Sequence, residues 1–283
     1  MQTLMGMQAQ FMRARQNIVS AMPMRAQNMD WQGSGTSPPT IITSVTPVPL
    51  GVFDVYTFTP GSYNFIVKNN VALADYLVVG GGGACPSDLS GTGGGAGGVI
   101  TGRATLRPGT YALTVGAGGS SSGAGANGGN TSFTLLSGQT LVAIGGGAGS
   151  SGPGINGVAG ASGGGGWGDG NGSTGGGAGI PGQGFPGGAG IAFGSTGAAY
   201  GGGGGGGAGG PARLGGLPVP NDSCTGGPGL ISSITGSAIE YARGGNAING
   251  IGSAPTSYGS GGSANPPDGV SGVIILKIRA RYV

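Results

Sequence analysis

The sequence predicts a mainly β protein in which a small antiparallel sheet closes a layered bundle of packed polyglycine II helices, with a short helix at the N-terminus. Three observations predict this fold. Glycine accounts for 75 of the 283 residues, and all but five of these glycines follow residue 79. Apolar, strand-like stretches flank and interrupt the glycine region. The seven methionines all lie within the first 29 residues.

These shifts in composition divide the chain into five zones. They are a Met-rich N-terminal attachment segment (1–32), a linker (33–39), a β-strand region (40–79), a glycine-rich polyglycine II domain with loops (80–272) and a closing C-terminal strand (273–283).

The Met-rich zone predicts a short helix. Residues 3–21 contain good helix formers and no proline, and Pro23 ends the pattern. Five apolar side chains fall near one face, at spacings of three, four, seven and four: Leu4, Met7, Phe11, Ile18 and Met22. One short helix cannot bury such a face alone, and methionine makes an adaptable contact surface. Because GSGTSPP at 33–39 is typical of a linker, the sequence favours a peg that inserts into a partner over a helix that folds back on its own domain.

Residues 40–79 have the pattern of strands. In VFDVYTFTPGSYNFIV, apolar and polar positions partly alternate, and Pro60-Gly61 marks a turn. The closing stretch GVIILKIRARYV, at 272–283, is also strand-like. We expect it to pair with the LVV at 77–79, so that the two ends of the glycine region meet.

The glycine zone predicts stacked polyglycine II helices. Collagen is excluded, because glycine does not recur at every third residue. A flexible linker is the main alternative, but disorder would expose the apolar stretches YALTVG, TSFTLL and TLVAIGG. Ordering each residue costs about 1–2 kcal/mol, whereas a hydrogen bond contributes about 0.5–1.5 kcal/mol net. A lone helix therefore cannot persist, and a stack is required in which nearly every residue donates and accepts.

The longest glycine run, YGGGGGGGAGG at 200–210, is expected at the centre of this stack, because it has no side chains to point outwards. At about 3.1 Å per residue it makes a rod of about 30 Å, which would place the loops before and after it at opposite ends. In the following hairpin we expect four side chains in the core: Ile231, Ile234, Ile239 and Tyr241.

Four interruptions of the glycine zone are the candidate recognition loops, because aromatic and arginine side chains on rigidly held loops often anchor protein recognition. For each side chain alone, capping the stack is favoured; for the four loops together, recognition by at least one is favoured. The candidate residues are Trp167, Asp169, Asn171, Phe185, Ile191, Phe193, Tyr200, Arg213, Leu217, Val219, Asn221, Asp222, Ile251 and Tyr258.

The composition argues against an enzyme, a metal or a cofactor. The absence of histidine excludes a His-based triad and a His metal site. The eight acidic residues are scattered, and no lysine follows a glycine run as in a phosphate-binding loop. Scattered basic residues predict no nucleic-acid binding. No apolar run of about 20 residues or signal peptide is recognisable. Whether Cys85 and Cys224 pair stays open.

A family resemblance rests on an ordered series of motifs. FTPGSYNFIV is followed by YLVVGGGGA, GTYALTVGAGG, NGGNTSFTL, the hairpin GGPGLISSITGSAIEYARGG and SGVIILKI. Over residues 51–283 this series resembles the glycine-rich domain of bacteriophage tail-fibre and tail-tip proteins. One subset of that family consists of adhesins, in which polyglycine II helices form a layered sandwich and the joining loops bind an outer-membrane receptor. KNNVALADY departs from the Pro-x-Gly-Val step that the family often has, and residues 1–32 have no counterpart.

The resemblance implies a virion protein that is assembled in the host cytoplasm. Other tail or baseplate proteins would bind residues 1–32, and a host outer-membrane protein or surface glycan would bind the loops, without membrane insertion. The alternative is a structural virion part, such as a fibre adaptor or tail-tip cap, whose loops contact other virion proteins. A free ice-binding protein is a more distant alternative. A monomer and a trimer both fit the sequence.

Overall fold

The fold was analysed in a computed structural model, which describes residues 37–86, 91–169, 172–192, 201–212, 225–247 and 255–280. These residues contain fourteen β-strands and no helix. The predicted N-terminal helix, with Leu4, Met7, Phe11, Ile18 and Met22, lies outside the described residues. The described part belongs to one compact unit, Gly35–Val283.

Two five-stranded antiparallel sheets form a β-sandwich, which is larger than the small sheet that the sequence predicts. Sheet 1 has the order β1-β4-β7-β8-β9, and sheet 2 has the order β2-β3-β14-β5-β6. The strands of sheet 1 are β1 (Ile41–Ile42), β4 (Gly61–Val67), β7 (Gly109–Val115), β8 (Thr131–Thr134) and β9 (Thr140–Ala143). The strands of sheet 2 are β2 (Val48–Leu50), β3 (Phe53–Phe58), β5 (Ala72–Val79), β6 (Val99–Leu106) and β14 (Val273–Arg279).

The closing strand lies in the centre of sheet 2. β14 pairs with β5, as the sequence predicts, with Val273 opposite Val79 and Ile275 opposite Leu77. Its other edge pairs with β3. The two ends of the glycine region therefore meet, and this prediction is confirmed.

The core of the sandwich lies between the two sheets. Phe65, Tyr111 and Phe133 of sheet 1 are buried against Phe58 and Leu276 of sheet 2. Pro60-Gly61 does not make a simple hairpin, because β3 belongs to sheet 2 and β4 to sheet 1. The chain crosses between the sheets at this point, so alternating apolar residues on both strands face one shared core.

The outer face of sheet 2 carries a second core. Ile275 and Val79 pack there with Tyr241 and Ala208, and Ile234 packs partly against the same cluster. Tyr241 and Ile234 belong to the hairpin of β12 (Leu230–Ser232) and β13 (Ile239–Tyr241). The prediction that the whole hairpin is core is half wrong: Ile231 is 74% exposed and Ile239 is 39% exposed. The two short strands pair only with each other, so one face of them stays open.

Most of the long strands continue directly into glycine segments. β5 leads into residues 80–85, and residues 93–98 lead into β6. Glycine segments also follow the ends of β7, β9 and β13, and they precede the beginnings of β8 and β14. These segments are neither helix nor strand, and together we call them the glycine lattice.

Backbone hydrogen bonds in the lattice repeat every third residue. The six N–H groups of residues 80–85 donate over 2.8–3.0 Å to the carbonyl oxygens of Gly98, Gly129, Val270, Gly95, Ala126 and Pro267, in that order. Residues 80 and 83 thus bond to the segment of Gly95 and Gly98. Residues 81 and 84 bond to the segment of Ala126 and Gly129, and residues 82 and 85 bond to that of Pro267 and Val270. The carbonyl groups of the same segment accept from Gly119, Gly146, Gly149 and Gly262, which belong to three further segments.

Among the described residues, three segments have six such neighbours each. They are 80–85, 93–98 and 162–166. Bonds such as Gly81 N–H to Gly129 O and Gly98 N–H to Ile144 O join segments that continue sheet 2 to segments that continue sheet 1. The two sheets are separated by side chains in the sandwich, whereas their glycine extensions are bonded to each other directly.

The long glycine run is buried, as predicted, but it is shorter than a ten-residue rod. Residues 201–208 are buried, and 203–206 bond to segments on several sides, through Gly166, Gly163 and Gly245 among others. The chain then bends: Gly207 N–H donates to Gly210 O, and Gly209 is exposed.

Candidate recognition site at the far end of the lattice

The lattice has two ends. At the sheet end, residues such as Gly80, Gly98, Gly116, Ile144 and Gly272 adjoin the strands of the sandwich. From there, hydrogen-bonded segments lead alternately away from the sheets and back towards them. At the opposite end, which we call the far end, the described chain turns back at 120–126, 150–156, 167–174 and 263–267.

Side-chain hydrogen bonds tie two of the far-end turns, 150–156 and 167–174, to each other and to the chain at Thr92. Thr92 Oγ1 donates to Ser150 O over 2.9 Å. Ser150 Oγ and Thr174 Oγ1 both donate to Ile155 O, over 2.5 and 2.8 Å. Thr174 Oγ1 also accepts from Trp167 N–H over 2.7 Å. These two turns and the chain at Thr92 are thus held in one arrangement by hydroxyl groups.

Trp167 caps this cluster. It precedes the short hairpin of β10 (Gly168–Asp169) and β11 (Gly172–Ser173), and only 8% of it is exposed. The backbone of Asp169 is placed at the far end by this hairpin. Beside it, Ile155 is 50% exposed, and Asn156 Oδ1 accepts from Gly175 N–H over 2.9 Å.

The other side of the far end is polar. Asp268 Oδ1 accepts from Ser121 N–H over 2.7 Å, and the hydroxyls of Ser120 and Ser122 lie 2.7 Å apart. Asn246 links two segments, because its Oδ1 accepts from Gly226 N–H over 2.9 Å and its N–H donates to Ser263 Oγ over 2.8 Å. The far end therefore combines an exposed apolar residue, Ile155, with fixed hydroxyl and amide groups.

The candidate site residues that the structure describes do not all lie together. Ile191 lies at the far end, where its N–H donates to Gly201 O. Phe185 is 41% exposed but follows the turn at 181–183 near the sheet end, where Gln183 binds both Ile144 N–H and Val142 O. Tyr258 packs against the second core.

The remaining candidate residues lie outside the described residues: Asn171, Phe193, Tyr200, Arg213, Leu217, Val219, Asn221, Asp222 and Ile251. Their flanks are described. Ile191 and Gly201, on either side of 193–200, are both at the far end. Ala212 approaches Pro186 near the sheet end, whereas Gly226 is bonded to Asn246 at the far end. The described residues on either side of 213–224 therefore lie at different ends of the lattice.

Sequence reasoning missed Ile155 and the polar turns. Ile155 and Val158 are the large apolar residues of GPGINGVAG, and such residues among glycines are a detectable signal. The serines at 120–122 carried no signal, because serine is common in ordinary loops.

Comparison with known families matches one stretch of the chain, which contains most of the sandwich and the lattice. The sequence model of the glycine-rich domain family matches residues 57–279. The chain belongs to the glycine-rich domain family. The match begins within β3 and ends at the last residue of β14. The glycine-rich domain therefore comprises most of both sheets and the lattice that extends from their strands. No curated protein matches the sequence. Within the described part of the glycine-rich domain and its flanks, no helix is long and apolar enough to cross a membrane.

Proposed function

We propose that this glycine-rich domain protein is a non-enzymatic bacteriophage tail-fibre or tail-tip adhesin that recognises the host cell surface. The glycine segments are, in this proposal, polyglycine II helices. A three-residue period of hydrogen bonds supports this assignment, since a polyglycine II helix has three residues per turn and no internal bonds. Six neighbours around one segment also fit, because side chains would keep the backbones apart.

The observation that carries the functional proposal is the gathering of many turns at the far end of a rigid lattice. Recognition residues are commonly carried by loops on rigid scaffolds. The far end also has the mixture that recognition surfaces need, with Ile155 exposed and hydroxyl and amide groups fixed by hydrogen bonds. The family resemblance of the motif series supplies the phage context. Attachment to the virion through residues 1–32, and a host outer-membrane protein or glycan as the receptor, belong to the same proposal.

Competition for adsorption tests the proposal. The purified full-length protein is added to host cells before the phage that carries it, and we expect a dose-dependent loss of adsorption. Ile155→Lys, at the far end, should abolish the competition. Phe185→Lys is the matched control, because Phe185 is also an exposed apolar residue but lies near the sheet end; it should compete like the natural protein. Circular dichroism establishes that both variants are folded.

The results separate the adhesin from a structural virion part. No competition at saturating protein, with phage still assembling on the Ile155→Lys background, would sink the adhesin proposal. Loss of phage assembly with Ile155→Lys would instead place the far end against another virion protein.

A further inference from the structure

A groove at the open edge of the sandwich has no role in the adhesin proposal. It measures about 340 Å³ and lies between β6, at the edge of sheet 2, and the β8–β9 turn of sheet 1. Tyr76 and Tyr111 contribute to its lining, together with the two arginines that flank the end of β6. The volume lies at the lower end of the range of about 300–1,000 Å³ that is usual for small-molecule sites.

The groove carries positive charge without a lining carboxylate. Arg103 and Arg107 line it, and no aspartate or glutamate does. Arg103 is balanced by Asp75, to which its Nε–H donates over 2.7 Å. Among the described residues Arg107 makes no ion pair. Arg107 is therefore the cation left to bind an anion from outside.

Unused polar groups line the same groove. The Tyr76 hydroxyl and the Gln139 side-chain amide form no hydrogen bond with any other described residue. The Tyr76 ring is held edge-on to Phe133, with ring centroids 6.2 Å apart. A fixed ring with a free hydroxyl offers both an apolar wall and a donor.

Apolar side chains complete the lining. Leu135 and Leu141 are partly buried against the sandwich core, and Leu136, at the rim, is 50% exposed. This lining matches the chemistry of a sugar that carries a carboxylate. It offers the Tyr76 ring, apolar walls, hydrogen-bonding groups and one arginine that has no ion pair among the described residues. The C–H faces of such a sugar are apolar, its hydroxyls bond to neutral polar groups, and its carboxylate binds arginine strongly.

We infer that this edge groove is a binding site for one acidic sugar unit, in which Arg107 binds the carboxylate and Tyr76 and Gln139 bind the hydroxyls. The site is distinct from the far end, and it does not depend on the adhesin proposal. The inference concerns binding only.

Calorimetric titration of the full-length protein tests the site, with sodium glucuronate as the probe. Glucose has the same ring without the carboxylate, and inorganic phosphate is an anion without the ring. We expect binding of glucuronate at least about tenfold tighter than that of glucose or phosphate, because a hydrogen bond to a charged group is worth more than a neutral one. Undetectable glucuronate binding, or phosphate binding as tight as glucuronate, would overturn the inference.

Variants locate the binding. Arg107→Gln should weaken glucuronate binding at least about tenfold, whereas Lys68→Gln removes one positive charge elsewhere and should leave it unchanged. Tyr76→Phe keeps the ring and should weaken binding about threefold or more through the lost hydroxyl. If Arg107→Gln does not fold, the glucuronate affinities of Tyr76→Phe and Gln139→Ala test the site instead. Both variants should bind glucuronate more weakly than the natural protein, and unchanged affinity in both would contradict the assignment. Unchanged affinity in folded Arg107→Gln contradicts the assignment, whatever the adsorption experiment shows.

Discussion

The absence of a Cβ atom determines what each residue of the lattice can do. A Cβ built on Gly82 would meet the carbonyl oxygen of Ser260 well inside van der Waals contact, and one on Gly94 would meet Gly83 O in the same way. Ala84 and Ala96 are fully buried in the same two segments. The lattice therefore accepts a methyl group at some positions and only hydrogen at others.

Gly82→Ala should destabilise the protein by about 3 kcal/mol, because overpacking against backbone that is bonded on all sides leaves little room for relaxation. Gly152→Ala is the matched control, since a Cβ there meets nothing within 4 Å. Urea unfolding gives both free energies. Equal effects of the two substitutions would contradict the packing account.

Asparagine side chains replace missing carbonyl groups at the margin of the lattice. Asn127 Oδ1 accepts from Ala148 N–H over 2.8 Å, and Asn130 Oδ1 accepts from Gly145 N–H over 2.9 Å. Asn127→Leu leaves the buried amide of Ala148 without an acceptor and should cost about 1–3 kcal/mol. Asn127→Asp keeps an oxygen in place and should remain close to the natural protein at neutral pH. A comparison of thermal and urea unfolding of the two variants checks this, and a similar loss in both would refute it.

Tyr56 should make the fold sensitive to alkaline pH. Burial, with a smaller contribution from the charge of Asp54, raises the pKa of Tyr56 to about 12, from about 10 in the unfolded chain. Between these values the folded protein retains a proton that the unfolded chain has lost, so stability falls as pH rises from 10 towards 12. Tyr56→Phe should show a shallower fall in the free energy of unfolding over this range. Identical pH profiles would count against a raised pKa.

At the scale of elements, the same strand serves two kinds of packing. β5 is part of a sheet with side chains on both faces, and residues 80–85 continue it as backbone with six neighbours. Sheets that face each other across side chains stand about 10 Å apart. Without side chains, segments can approach to hydrogen-bonding distance. The point where side chains end thus decides where two sheets become one lattice.

The β12–β13 hairpin differs from the long strands in what it stabilises. Ile275 of β14 is 1% exposed, whereas Ile231 of β12 is 74% exposed. Ile275→Ala should cost about 2–4 kcal/mol, and Ile231→Ser should change stability by less than about 0.5 kcal/mol. Chemical unfolding of the two variants checks the contrast. A large loss with Ile231→Ser would indicate that this face is covered in the protein.

The pairing of β14 with β5 was predictable from sequence, because two apolar runs at the ends of the glycine region can bury each other by pairing. The apolar stretches at 110–115 and 131–134 were recognised as strand-like. Their membership of a second sheet was not predictable, since alternation within β3 and β4 does not reveal that the chain crosses between layers at Pro60. The exposure of Ile231 was missed for a related reason: apolar composition does not specify which face of a two-stranded hairpin is covered.

At the scale of the whole glycine-rich domain, the sandwich and the lattice share their chain segments. β5, β6 and β14 lie in the sandwich, and their extensions lie in the centre or margin of the lattice. Loosening one part therefore removes the anchoring of the other. The long glycine run was predicted to lie inside the lattice, and its residues 201–208 are buried. The sequence did not indicate the bend after Ala208, whose methyl group packs in the second core.

The glycine-rich domain should therefore unfold as one unit. Hydrogen exchange should give the amides of 80–85 and of β5 the same, global free energy of opening. In Gly82→Ala the protection of both should fall together. Amides of 80–85 that exchange far faster than those of β5 would show that the lattice opens independently.

The backbone hydrogen bonds of the lattice join neighbouring segments that lead from the sheets to the turns. A tensile force between the sandwich and the far end would act along those segments and load the bonds between them in shear. Bonds loaded in shear must break many at a time, whereas bonds peeled from one end break singly. The direction of the glycine segments therefore gives this protein its greatest mechanical resistance along the line from its sheets to its turns.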